Sequence, residues 1–133
     1  MSNMTISQSE RVILLAAVDN MIDFARESLS NVNGRHRPDI QEAISTLEGI
    51  KAKVENAESD FSLHELDKLS LSVYEFKEFC SQALNDPICP VALRNESSDY
   101  FKQANRLLAK MKNYFRSEFP PDVVRRFEVF RID

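Results

Sequence analysis

The residues that break helices are gathered into three short stretches of this chain, and the segments between them are apolar at helical spacing. The first break covers residues 31–38 and ends at Pro38. The second contains Pro87 and Pro90, and the third contains Pro120 and Pro121. Two glycines occur in 133 residues, a composition poorly suited to tight hairpins. This distribution favours an all-α fold.

Two capping boxes give the starts of predicted helices: Ser7-Gln-Ser-Glu10 opens helix one and Ser62-Leu-His-Glu65 opens helix three. The apolar spacing then predicts four helices, over residues 8–29, 38–57, 63–83 and from about 97 to 117. We therefore expect an antiparallel four-helix bundle over residues 1–119. Residues 120–133, called the appendage below, form either a short helix or an edge strand that packs on the bundle or projects from it, and the helix is favoured.

Helix one has an unusually wide apolar arc. Its apolar residues cover roughly 200° of the helical wheel, more than one neighbouring helix needs. We expect this helix to be central to the fold or partly exposed in a subunit interface. Its polar side carries Asp19, Asp23 and Glu27 at i, i+4 and i+8, which we call the acidic stripe.

Size and charge limit the function classes. At 133 residues the chain is one domain with a net charge of −4. Residues 1–67 hold 6 basic and 12 acidic side chains, and residues 68–133 hold 11 and 9. This distribution argues against a nucleic-acid site that covers the whole surface. With neither a signal peptide nor a membrane span in the sequence, and Cys80 and Cys89 expected as free thiols, we predict a cytoplasmic protein.

The sequence offers little for catalysis. No Glu-x-x-His motif occurs, and the pair Glu75-x-x-Glu78 lies opposite the apolar line of helix three, in solvent. Cys80 is on that apolar line, where a cysteine is usually a small core residue. Cys89 has no histidine near it in the sequence. We therefore expect no enzyme activity, no metal and no cofactor.

A run of fifteen residues, Lys102 to Arg116, carries five positive charges and no negative one. On a helix these cations lie opposite the apolar residues and form the basic stripe: Lys102, Arg106, Lys110, Lys112 and Arg116. Positive charge near a helix C-terminus is favourable, which accounts for the last three. Lys102 and Arg106 lie earlier and repel each other at i, i+4 spacing, by about 0.2–0.5 kcal/mol per pair. The stripe is a solvated face, a protein-binding surface, or a site for nucleic acid or an anionic membrane.

The appendage combines aromatic and arginine side chains after the Pro-Pro break. Either it folds back to cap the bundle, or it exposes an apolar patch of the kind that marks interfaces. Our leading hypothesis is a non-catalytic binding or regulatory protein that contacts a protein partner, with homodimerisation left open. The alternative is a nucleic-acid-binding regulator that uses the basic stripe. The predicted contact residues are Lys102, Arg106, Lys110, Arg116, Phe119, Arg125, Arg126, Phe127 and Phe130, with Asp19, Asp23 and Glu27 as an acidic counter-surface.

Overall fold

A computed structural model describes residues 4–32 and 34–132, and its regular elements are all helical. The helices are α1 (Gln8–Asn31), α2 (Arg37–Glu55), α3 (Leu63–Asn85), α4 (Val91–Glu118) and the short α5 (Pro121–Val124), followed by a 3-10 turn at Glu128–Phe130. The described residues contain no strand. The predicted all-α four-helix bundle is confirmed.

Both capping boxes form as predicted. The amide of Glu10 donates to the Ser7 hydroxyl at 3.2 Å, and the Ser7 amide donates to the Glu10 carboxylate at 2.8 Å. The same two bonds join Ser62 and Glu65 at 3.1 and 2.9 Å. Because each box satisfies amides that the first helical turn leaves without a partner, α1 and α3 begin at defined residues.

The predicted start of helix four is wrong. We expected it near residues 97–98, after a serine cap, but α4 begins at Val91 directly after Pro90. No side chain caps this end. Instead, a side chain of the helix binds the preceding connection. The Arg94 guanidinium donates to the carbonyls of Asp86 and Pro87, both at 3.0 Å.

The long helices differ in how closely they pack against one another. Asp19 and Arg26 of α1 pair with Lys51 and Glu48 of α2, so these two helices are antiparallel. α1 packs chiefly against α2 and α3, and α4 packs chiefly against α3. We expected helices one and four to be neighbours in an antiparallel bundle, and α1 and α4 do meet, although over a shorter stretch. α1 and α3 are therefore the central pair of the bundle, as the wide apolar arc of helix one allowed.

The core fills the space between these helices and continues beneath the appendage. Its fully enclosed side chains, each less than 2% exposed, include Ile13, Leu14, Val18, Ile50, Val54, Leu69, Val73, Met111, Phe115 and Val129. Cys80 lies in it at 3% exposure.

The appendage folds onto the bundle as helical turns, and the alternative of an edge strand is wrong. The Phe127 ring stacks on Phe115 of α4, with 4.1 Å between ring centroids. The amide of Glu128 donates to the Asp67 carboxylate of α3 at 3.0 Å. Residues 121–130 thus share the core of the four helices.

Candidate functional site

Lys110, in the middle of the basic stripe, is bound within the fold. Its ammonium donates to the Glu10 carboxylate at 2.7 Å and to the Thr5 carbonyl. Burial alone would raise the pKa of Glu10, but the hydrogen bonds from Lys110 and Ser7 outweigh that effect and lower the pKa below its usual value. Lys110 therefore joins α4 to the start of α1.

Two further cations of the stripe contact the appendage. The Lys112 ammonium lies 5.5 Å, and the Arg116 guanidinium 4.9 Å, from the centroid of the Phe130 ring. Cations over an aromatic face attract it by about 0.5–1 kcal/mol at exposed sites. These two cations help to hold the appendage in place.

Lys102 and Arg106 are the members of the stripe whose charges the fold does not use. Both side chains are exposed, and no hydrogen bond or ion pair joins either of them to another residue within 4–32 or 34–132. Arg106 borders a shallow cleft of about 350 Å³ between α4 and the start of α1, which Ser9 and Gln103 also line. Lys102 and Arg106 are therefore the two cations of the basic stripe without a partner among the described residues, and they are called the free cations below.

The aromatic residues predicted as contact residues differ widely in exposure. Phe127 is 2% exposed and belongs to the core, so its ring is not accessible to a partner in this conformation. Phe119 and Phe130 are half-buried, whereas Arg125 and Arg126 are exposed. The exposed surface of the appendage therefore carries mainly positive charge.

The acidic stripe of helix one divides between two locations. Asp19 pairs with Lys51 of α2 at 2.8 Å, and this hydrogen bond with its attraction raises the pKa of Lys51. Asp23 and Glu27 are exposed and border a groove between α1 and α3. Within one chain, the acidic stripe does not face the free cations of α4.

This groove, called the aromatic groove below, contains the two most exposed phenylalanine side chains of the molecule's described part. Phe24 of α1 is 67% exposed and Phe79 of α3 is 57% exposed. The groove has a volume of about 500 Å³, and Met21 lies beside the rings. The polar residues that line it are Asn20, Asp23, Glu27, Glu75, Glu78 and Gln82.

The charge of the aromatic groove has one sign. Four carboxylates line it and no basic residue does. Asp23 and Glu27 are four residues apart and Glu75 and Glu78 are three apart, so each pair repels by about 0.2–0.5 kcal/mol. A lysine next to the rim relieves part of this repulsion, because the Lys77 ammonium lies 3.7 Å from the Glu78 carboxylate.

The groove forms where α4 moves away from α1. Ile13, Asn20, Phe24 and Glu27 are spaced by seven, four and three residues, so they share one face of α1. At the N-terminal half of this face, Ile13 lies against Gln103 and Leu107 of α4 and is 1% exposed. At the other half no α4 residue lines the groove. The same helix face is therefore covered at one end and open at the other.

Sequence reasoning identified part of this site. It placed Asp23, Glu27, Glu75 and Glu78 on polar faces of helices one and three, but it did not identify Phe24 and Phe79 as exposed. The useful signal was the width of the arc on helix one, which predicted either a central helix or a partly exposed one. The structure shows both, one at each end of α1.

The described residues also bear on metal binding, thiol reactivity and membrane insertion. No three His, Cys, Asp or Glu side chains among them are gathered as a metal site needs. Cys80 is buried, and burial raises the pKa of its thiol, which disfavours the reactive thiolate. None of the described helices combines the length and apolar character that a bilayer crossing needs.

No protein family, curated protein or solved structure matches the chain.

Proposed function

We propose that this chain is a non-catalytic protein-binding protein that acts by stoichiometric association. The observation that carries the proposal is the aromatic groove, where Phe24 and Phe79 line the same groove and each stay more than half exposed. Single exposed apolar residues are common on soluble proteins, whereas neighbouring exposed rings in a groove with a polar rim are typical of binding sites.

The free energy gained when a partner covers these two rings is large enough to support binding. Complete burial of one phenylalanine side chain contributes about 1.5–3 kcal/mol. With 67% of Phe24 and 57% of Phe79 still exposed, covering both rings yields about 2–4 kcal/mol. Phenylalanine is also among the residues enriched at the centres of protein interfaces.

Lys102 and Arg106 supply a second contact surface. Their mutual repulsion is not relieved within the described residues, and an acidic partner surface would relieve it. A second copy of the chain is one candidate, because its acidic stripe carries the required charge. We further propose a cytoplasmic, regulatory role, which the two free thiols at Cys80 and Cys89 support.

The proposal is tested by capturing partners from the native cell with nuclease-treated extract and quantitative mass spectrometry. The groove variant is Phe24→Ser/Phe79→Ser. The matched control is Val12→Ser/Leu63→Ser, because Val12 and Leu63 are 50% and 49% exposed near the other ends of the same two helices. We expect wild type and control to retain a protein at near-stoichiometric yield and the groove variant to lose it.

Two results would contradict the proposal. Equal capture by the groove variant and the control means that the groove is not the binding surface. Loss of all captured material on nuclease treatment favours the alternative, a nucleic-acid partner for the basic stripe. The variant Lys102→Glu/Arg106→Glu then locates the surface, because loss of binding to this variant assigns the contact to α4.

A further inference from the structure

We propose that the aromatic groove binds a basic amphipathic helix of a partner protein, which lies against α1 and α3 as an additional helix of the bundle. This inference rests on the proposed protein-binding function and specifies the chemistry of the partner. It depends on three properties of the groove: the helical shape of its walls, its apolar centre and the single sign of its charge.

The shape of the groove suits a helix. Its walls are the segments Asn20–Glu27 of α1 and Glu75–Gln82 of α3, each about two turns or 10 Å long. Further along the same face of α1, the side chain of Ile13 is already covered by a helix, α4. A second helix placed beyond α4 would continue an existing type of packing, with its side chains between those of α1 and α3.

The apolar centre defines what the partner helix must present. Met21, Phe24 and Phe79 line the same groove from α1 and α3, so a pair of apolar residues on one face of a partner helix can cover both rings. A lysine or arginine at the edge of this pair can also lie over an exposed ring, which adds a cation–π attraction.

The rim defines the sign of the partner's charge. Asp23, Glu27, Glu75 and Glu78 surround the rings, and no lysine or arginine lines the groove. A partner with flanking cations relieves the like-charge repulsion within each carboxylate pair. An acidic partner would increase it.

A second copy of the chain fits this groove less well. A symmetric dimer about the groove would bring its four carboxylates against four more of the same sign. The free cations Lys102 and Arg106 of a second copy carry the right charge, but the apolar residues of the same helix, Leu107 and Leu108, are 2% and 4% exposed. Such a surface supplies cations without the apolar residues that would cover Phe24 and Phe79.

The inference is tested with three labelled synthetic peptides of about 18 residues, long enough to be helical when bound. One is a Leu/Lys/Arg amphipathic helix, one has its cations replaced by glutamate, and one is a scrambled basic peptide without an apolar face. Binding is measured by fluorescence anisotropy at about 0.05 and about 0.15 M salt. We expect the wild-type protein to prefer the amphipathic basic peptide by at least about tenfold over either other peptide.

Protein variants assign the binding to the groove. We expect Phe24→Ser/Phe79→Ser to weaken binding by about tenfold or more, as the loss of two central apolar residues does at interfaces. We expect Glu27→Lys/Glu75→Lys to weaken it by a similar factor and to improve binding of the acidic peptide. The control Glu42→Lys/Glu96→Lys makes the same change in net charge at exposed positions outside the groove and should change affinity by less than about twofold. Circular dichroism melts verify that each variant is folded.

Several results would overturn the inference. Binding of the scrambled basic peptide as tightly as the amphipathic one shows attraction by charge alone. Equal effects of the two charge variants show that the groove is not the site. A wild-type dimer in sedimentation that Phe24→Ser/Phe79→Ser abolishes identifies a second copy as the occupant. If a cellular partner requires the groove but the basic peptide does not displace it, the proposed function stands and the basic-helix inference fails.

Discussion

The substitutions K102E/R106E and K110E alter the same face of α4, yet we expect them to change the free energy of unfolding by very different amounts. In the wild type, Arg106 and Lys110 repel each other at i, i+4 spacing. A carboxylate at position 106 attracts Lys110 instead, a gain of about 0.4–1 kcal/mol, whereas a carboxylate at position 102 repels Asp99, three residues earlier on α4, at a similar cost. The two effects nearly cancel, so we expect the Tm of this variant to lie within about 2 °C of the wild-type value.

Lys110 differs from Arg106 because the fold uses its charge. K110E removes the ion pair with Glu10, which measures 2.7 Å between Nζ and Oε1, and the hydrogen bond to the Thr5 carbonyl. A partly exposed ion pair contributes up to about 1 kcal/mol and a hydrogen bond about 1 kcal/mol. The new carboxylate also lies beside Glu10. We expect destabilisation of about 2 kcal/mol, or a Tm lowered by about 7 °C.

Calorimetric melts of wild type and both variants at about 0.02 and about 0.5 M salt measure these differences. The Tm of K102E/R106E should stay close to that of wild type at both salt concentrations, whereas part of the K110E effect should persist at high salt. If K102E/R106E lowers the Tm by as much as K110E does, Lys102 and Arg106 form intramolecular ion pairs and are not free cations. The reasoning about the basic stripe is then refuted.

Three further outcomes follow from burial and hydrogen bonding. Phe127→Ala should cost about 3–5 kcal/mol in urea unfolding, since this ring stacks in the core, whereas Phe24→Ala should cost far less; equal costs would contradict the burial. Cys89 should react with a thiol reagent in the folded protein and Cys80 should not, because Cys80 is buried with a raised pKa; equal rates would refute this. Hydrogen bonds and ionic attraction lower the pKa of Glu65 despite its burial, so its ionised form stabilises the fold above about pH 4.5. This contribution is lost as pH falls, and Glu65→Gln should therefore be less stable than wild type near neutral pH but equal to it in acid.

Local signals predicted much of the fold, and long-range packing decided the rest. The starts of α1 and α3 were predictable because Ser7 and Ser62 cap the residues directly after them. The start of α4 was not, because Arg94 holds it through carbonyls of the preceding connection. The sequence indicated exposed acids at Asp23 and Glu27. It did not indicate that Phe24 is exposed, since that depends on the angle at which α4 leaves α1.

The glutamates of the two capping boxes have a consequence for how the bundle responds to acid. Glu10 bonds Lys110 and so joins α1 to α4, and Glu65 bonds Lys53 at 2.8 Å and so joins α3 to α2. α1 packs less against α4 than against α2, and α3 packs less against α2 than against α4. Each glutamate therefore defines a helix start and links two helices with one carboxylate. Protonation of both should remove these two links while the α1–α2 and α3–α4 packing remains, so that acid below about pH 4.5 first loosens the contacts of α1 with α4 and of α2 with α3.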